Sequence, residues 1–140
     1  MLRMIDIGVE NATAFCILGK ITKADMSTVL SHAKNKTERY GNIVFYEEIQ
    51  GFQGIELLAV IEEFKYLFEM GLSNISKVAV VTDKKWIVKV ASLEAKIFRN
   101  IGIKCFQLNE KSLAIEYLKN SKLSPFSTIS VDNLEDNLVK

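Results

Sequence analysis

The chain has 140 residues, 49% of them apolar, which is enough for one domain with a continuous core and too little for two of ordinary size. Its 18 basic and 17 acidic residues leave a net charge of +1, so there is no long-range field to gather phosphate backbones, and the balance argues against a nucleic-acid partner. One histidine and two cysteines exclude a histidine-based metal cluster and a cysteine knuckle, and no metal or cofactor is expected.

Met4 to Val9 and Ala14 to Leu18 are two short β-leaning runs, and the polar link Glu10-Asn11-Ala12-Thr13 between them is short enough to force an antiparallel hairpin. Cys16 lies in the second run and Cys105 in a later one; both read as reduced core thiols. The spacing Thr22-x-x-Asp25 marks a helix start in which hydroxyl and carboxylate satisfy the first amides, and Met26, Val29, Leu30 and Ala33 supply the buried stripe. His32 falls on the polar side of that helix, as a solvated residue. Gly41-Asn42 ends the helix and leads into a strand at Ile43 to Tyr46. The adjacent Glu47 and Glu48 cannot share one substrate, because neighbours on a strand point to opposite faces, and both read as solvated strand-end residues.

Gly51-Phe52-Gln53-Gly54 follows, its glycines able to take backbone angles closed to other residues, and opens onto a helix from Ile55 to Met70. Leu57, Leu58, Ile61, Phe64 and Phe68 recur along that helix at the spacing of a buried stripe. The clearest strand-to-helix junction is Lys77 to Trp86: a β-branched run over Val78 to Val81, then Thr82 and Asp83, with Asp83 as the N-cap of a helix from Lys84 to Asn100. Ile103 to Leu108 is the last strand. Asn109 caps a final helix through Asn120, which offers Leu113, Ala114, Tyr117 and Leu118 to the sheet.

The order predicts an α/β fold: a five-stranded, mostly parallel sheet opening with an antiparallel hairpin, with four helices on its faces. Residues 1–120 form the domain. From Ser121 the serines, Pro125 and the acidic terminus read as a tail over 121–140. The N-terminal residues lack the apolar core and cleavage site of a signal peptide, and no apolar stretch reaches the ~18 residues a membrane span needs, so a cytoplasmic protein is expected.

No nucleophile elbow, phosphate-binding loop or dinucleotide fingerprint is present. The one place where the layout suggests a site is the carboxyl rim of the sheet, where open α/β folds hold ligands. There the turn Phe52-Gln53-Gly54 and the helix start at Thr82, Asp83, Lys84 and Lys85 converge, aiming unpaired amides and two lysine charges at one place that suits a phosphate or carboxylate. In the plainer account the glycines only turn the chain and Asp83 only caps a helix. Trp86, with Phe64, Tyr66 and Phe68, raises an apolar groove or a membrane-facing surface, against ordinary core packing of the same aromatics.

The succession Gly51-Phe52-Gln53-Gly54, Glu62-Glu63-Phe64-Lys65, Lys77-Val78-Ala79-Val80-Val81-Thr82-Asp83 with Trp86, and Cys105-Phe106 ahead of Ala114 and Tyr117-Leu118 resembles the SpoIIAA-like family, over roughly Met4 to Leu118. That family belongs with the STAS domains and the CRAL-TRIO lipid-binding domains. The resemblance implies a small bacterial non-enzymatic domain binding an apolar or lipid-like ligand or a regulatory protein. It implies no catalytic residue. The turn Phe52-Gln53-Gly54 carries no hydroxyl where anti-sigma-factor antagonists have their phosphorylatable serine, so that partner switch is not carried over. The expectation is therefore a module that holds a small apolar or amphipathic, lipid-like ligand through Phe52, Gln53, Gly54, Phe64, Thr82, Asp83, Lys84, Lys85 and Trp86, with peripheral membrane contact. The alternative is a homodimeric interaction or regulatory subunit working through the helix from Ile55 to Met70.

Overall fold

Side chains on both faces of the three middle strands are buried, and the five-stranded sheet runs β1-β2-β3-β4-β5 in chain order. The computed structural model describes residues 1–51, 74–85, 87–88 and 101–120. The strands are β1 (Leu2–Met4), β2 (Ala12–Ile17), β3 (Ile43–Ile49), β4 (Ile75–Val81) and β5 (Gly102–Phe106). β1 lies antiparallel to β2, with Arg3 opposite Cys16, and the other three pairings are parallel. The hairpin opening and the mostly parallel sheet are as the sequence predicts. Two α-helices are described, α1 (Lys23–Tyr40) and α2 (Lys111–Lys119), rather than four. The expected helix from Ile55 to Met70 lies outside the described residues, and of the one from Lys84 to Asn100 only the start is described. The tail over 121–140 lies outside them too.

The first strand lies earlier than its sequence suggests: β1 shares only Met4 with the expected run from Met4 to Val9, and Ala12 and Thr13, expected in the link, open β2. Asp6 Oδ1 accepts from the Gly8 amide at 2.8 Å, and Gly8 takes a φ of 77°, so an Asx turn ends the run that hydropathy alone would carry to Val9. Ile5, Ile7 and Val9 then pack half-buried against the sheet. α1 begins as its capping box dictates: Asp25 N donates to Thr22 Oγ1 at 3.1 Å and Thr22 N to Asp25 Oδ2 at 2.9 Å. It ends at Gly41, whose φ of 81° few other residues reach and whose amide donates to Thr37 O. Met26, Val29 and Ala33 are its buried residues; Leu30, expected with them, is half-buried.

The strands present two faces. On the α1 side, Phe15, Ile17, Ile43, Phe45, Ile49, Ile75, Val80 and Ile103 join Met26, Val29 and Ala33 in one apolar cluster. On the α2 side, Ala12, Ala14, Val44, Tyr46, Ala79, Val81 and Phe106 meet Ala114, Tyr117 and Leu118. A register shift between β3 and β4 sets Ile43 opposite Ile75 but Val44 opposite Lys77, leaving Ser76 as the extra residue. The bulge keeps Ile75 and Val78 on the same apolar side and turns Lys77 to the α2 side. Asn109 is not the cap of the last helix. A 3₁₀ turn at Leu108–Glu110 precedes α2, with Glu110 Oε1 accepting from Gln107 N at 2.9 Å. That turn sets the phase of α2, so Leu113, expected to face the sheet, is 55% exposed.

Candidate functional site

Parallel β3 and β4 finish side by side, Glu48 opposite Val81, so the segments that follow them leave from one rim. Thr82 joins the two ends. Its hydroxyl donates to Ile49 O at 3.0 Å and accepts from Lys84 N at 3.2 Å, while its amide donates to Phe106 O at 2.9 Å. It is buried, and of the expected site residues it is a fastener of three strand ends. Lys84 O accepts from the amides of Ile87 and Val88, and the first helical residue is Lys85. Asp83 is exposed and has a role the sequence did not suggest: Oδ1 accepts from Leu108 N at 3.0 Å, fixing the turn before α2. Lys84 is half-buried and Lys85 exposed. Phe52, Gln53, Gly54, Phe64 and Trp86 lie outside the described residues.

On the other side of this rim, Gln50 N donates to Ile17 O at 3.0 Å as the chain leaves β3. A Cβ on Gly51 would stand 2.9 Å from the Leu18 carbonyl oxygen. Close approach of two backbones, rather than an unusual backbone angle, is what requires glycine there.

Behind the rim lies a polar cluster that the sequence reading missed. Tyr46, Glu48 and Gln50 alternate along one side of the chain, and Glu48 is buried on the α2 face rather than solvated. Its Oε1 accepts from Tyr46 Oη at 2.9 Å and pairs with Lys111 Nζ at 3.3 Å; its Oε2 accepts from Gln50 Nε2 and from Cys16 Sγ at 3.4 Å. Burial by itself would raise the carboxyl pKa, but donors from Gln50, Tyr46, Cys16 and Lys111 together outweigh it and hold the group below its usual range. The same contact has the reverse effect on the donors. Burial, then the bond to Glu48, pushes the Cys16 thiol up to about 11, and the same two causes raise the Tyr46 phenol further. Period-two polar residues next to an apolar strand were the available signal. Glu47, on the opposite side, did point away from Glu48 as expected.

At the opposite end of the same face, Lys77 is buried. Its ammonium donates to Tyr117 O at 3.0 Å and to Asn120 O, and stands 5.0 Å from the Tyr117 ring centre. The last carbonyls of α2 thus receive a cation where the helix dipole is negative. Burial still lowers the Lys77 pKa. His32 is not simply solvated either: its Nδ1 lies 3.1 Å from the hydroxyl of Thr13, which is fully buried. Burial, then the Lys36 charge, lowers its pKa. Both cysteines are free thiols; Cys16 is buried and Cys105 half-buried. Among the described residues, no helix is long and apolar enough to cross a membrane.

Neither the curated proteins nor the solved structures compared with the chain give a match. A family model described as SpoIIAA-like matches residues 13–119, from the buried threonine of β2 to the last residue of α2, and the chain belongs to that family.

Proposed function

We propose that this domain is a non-enzymatic binding module that holds a small amphipathic ligand at the rim where β3 and β4 end. The observation that carries the reading is the side-by-side finish of those two parallel strands, with Lys84 and Lys85 directly following. Family membership supports it. So does the state of the reactive groups: a thiol at about 11 stays protonated at neutral pH and is a poor nucleophile. The Glu48 carboxylate is already engaged by four donors, leaving it little capacity to take a substrate proton.

Titration with a short-chain phosphatidylglycerol below its micelle concentration, followed by amide NMR, tests the proposal, with inorganic phosphate as the head-group control. Saturable shifts at Lys84, Lys85 and Gly51 with the lipid, and weaker ones with phosphate, are expected. Unmoved signals would overturn the reading, and an empty, stable dimer in native mass spectrometry would replace it with a homodimeric interaction module.

A further inference from the structure

The two ends of α2 are held in different ways. At its start the chain has just left β5 and is fixed by the Asp83–Leu108 bond, by the Gln107–Glu110 turn and by Lys111 on the buried Glu48. Between the ends, Ala114, Tyr117 and Leu118 are buried and Ile115 packs half-buried beside them, so the apolar attachment is confined to the stretch from Ala114 to Leu118. At its finish, described contacts come from Lys77 to the Tyr117 and Asn120 carbonyls and from Tyr117 Oη to Gly102 O at 2.8 Å. The Tyr117 ring also sits against Phe106, centroids 5.9 Å apart, and is flanked by the ammoniums of Lys77 and Lys104 at 5.0 and 5.8 Å.

We propose that α2 is a releasable arm, hinged where Lys111 meets Glu48 and unlatched where Lys77 holds its last carbonyls. The latch is a cation drawn out of water to serve backbone acceptors, so its bonds contribute only a modest surplus over the cost of desolvating the ammonium, enough to hold the helix end and small enough to be given up. In the released state the ammonium regains water, the helix end frays as helix ends do, and Tyr117 leaves the Phe106 ring, opening the apolar cluster that it and Leu118 help to close. The hinge is different in sign. Every donor on Glu48 favours its charged form, and the attachment survives as long as that carboxylate is ionised. Opening is therefore expected to run from the Lys119 end toward Lys111, not the reverse.

Hydrogen exchange on the full chain, resolved to single amides, reads this directly. In the wild type, the Tyr117, Leu118 and Lys119 amides are expected to exchange at least about tenfold faster than those of Phe45 and Val80, through an opening short of global unfolding. Lys77→Met, which keeps the stem and removes the donors, should speed the α2 amides by about tenfold again while leaving β3 and β4 protection in place. Glu48→Gln should free the Lys111 end as well, so that the gradient along α2 disappears. Equal exchange for α2 and the central strands in the wild type would overturn the proposal, as would unchanged or slower α2 exchange in Lys77→Met. Should that variant fail to fold, Tyr117→Phe, which removes only the bond to Gly102 O, carries the same expectation and the same refutation.

Discussion

The two faces of the sheet are made of different material. On the α1 side the strands present Phe15, Ile17, Ile43, Phe45 and Val80 to an 18-residue helix, and a neutral bond between Thr13 and His32 ties a fully buried polar side chain to that helix. On the α2 side a nine-residue helix lies between Glu48 and Lys77, the two charged residues found buried among those described. A long amphipathic helix meets its face mainly through apolar contact, with Met26, Val29 and Ala33 buried there. A short one has less to offer, and here charges placed in the strands meet both of its ends, carboxylate near the start and ammonium at the finish, the arrangement a helix dipole favours. The first face is held by packing, the second by packing and charge together.

The largest test of that contrast is on the dry face. Phe45 is 1% exposed and stands edge-on to Phe15, with ring centres 6.3 Å apart. Phe45→Ala is expected to lose about 3–5 kcal/mol in denaturant unfolding, because the cavity is bordered by a strand on each side and cannot collapse. A loss below about 1 kcal/mol would mean that this face is not the packed one.

Tyr46, the next residue, faces the other way and sharpens the comparison. Its ring remains in Tyr46→Phe, and only the hydroxyl bond to Glu48 goes, a bond to a charged group that typically contributes about 1.5–3 kcal/mol. The effect should depend on pH. Because the folded-state pKa of Glu48 is depressed, its stabilisation is fully present above the unfolded value and is lost as pH falls through the folded one. The gap between variant and wild type is therefore greatest near neutrality and narrows in acid. A gap that stayed constant from pH 7 to pH 3 would show that Tyr46 acts by packing rather than through the carboxylate.

This contrast also decides what could be read from the sequence. The α1 face was legible because its logic is local: Thr22-x-x-Asp25, the Met26–Val29–Leu30–Ala33 stripe and the Gly41 stop each follow from spacing, and all are present but for Leu30, which is half-buried. The parallel order followed from strands alternating with helices. The α2 face was not legible, because its charges are meaningful only across elements. Glu48 meets Lys111 over a separation of 63 residues, and Lys77 reaches α2 on that side only through the bulge at Ser76. A strand glutamate beside another glutamate looks solvated until a helix from far along the chain is laid over it. Gly51 reads as a turn glycine for the same reason, since the Leu18 carbonyl that crowds it comes from a different strand end.

The smallest expected effect returns to the dry face and the neutral bond between Thr13 and His32. Thr13 has no exposed surface, and Thr13→Val keeps its shape while removing the hydroxyl that meets His32 Nδ1. A neutral bond of this kind contributes about 0.5–1.5 kcal/mol, and the half-buried imidazole left behind can turn to water, so the loss should lie near the lower end of that range. The position of the His32 titration by NMR should change little, since burial and then the Lys36 charge set it, and neither is removed. If instead Thr13→Val cost as much as Tyr46→Phe, a neutral bond between strand and helix would equal one to a buried carboxylate, and the division between a packed face and a charged one would fail.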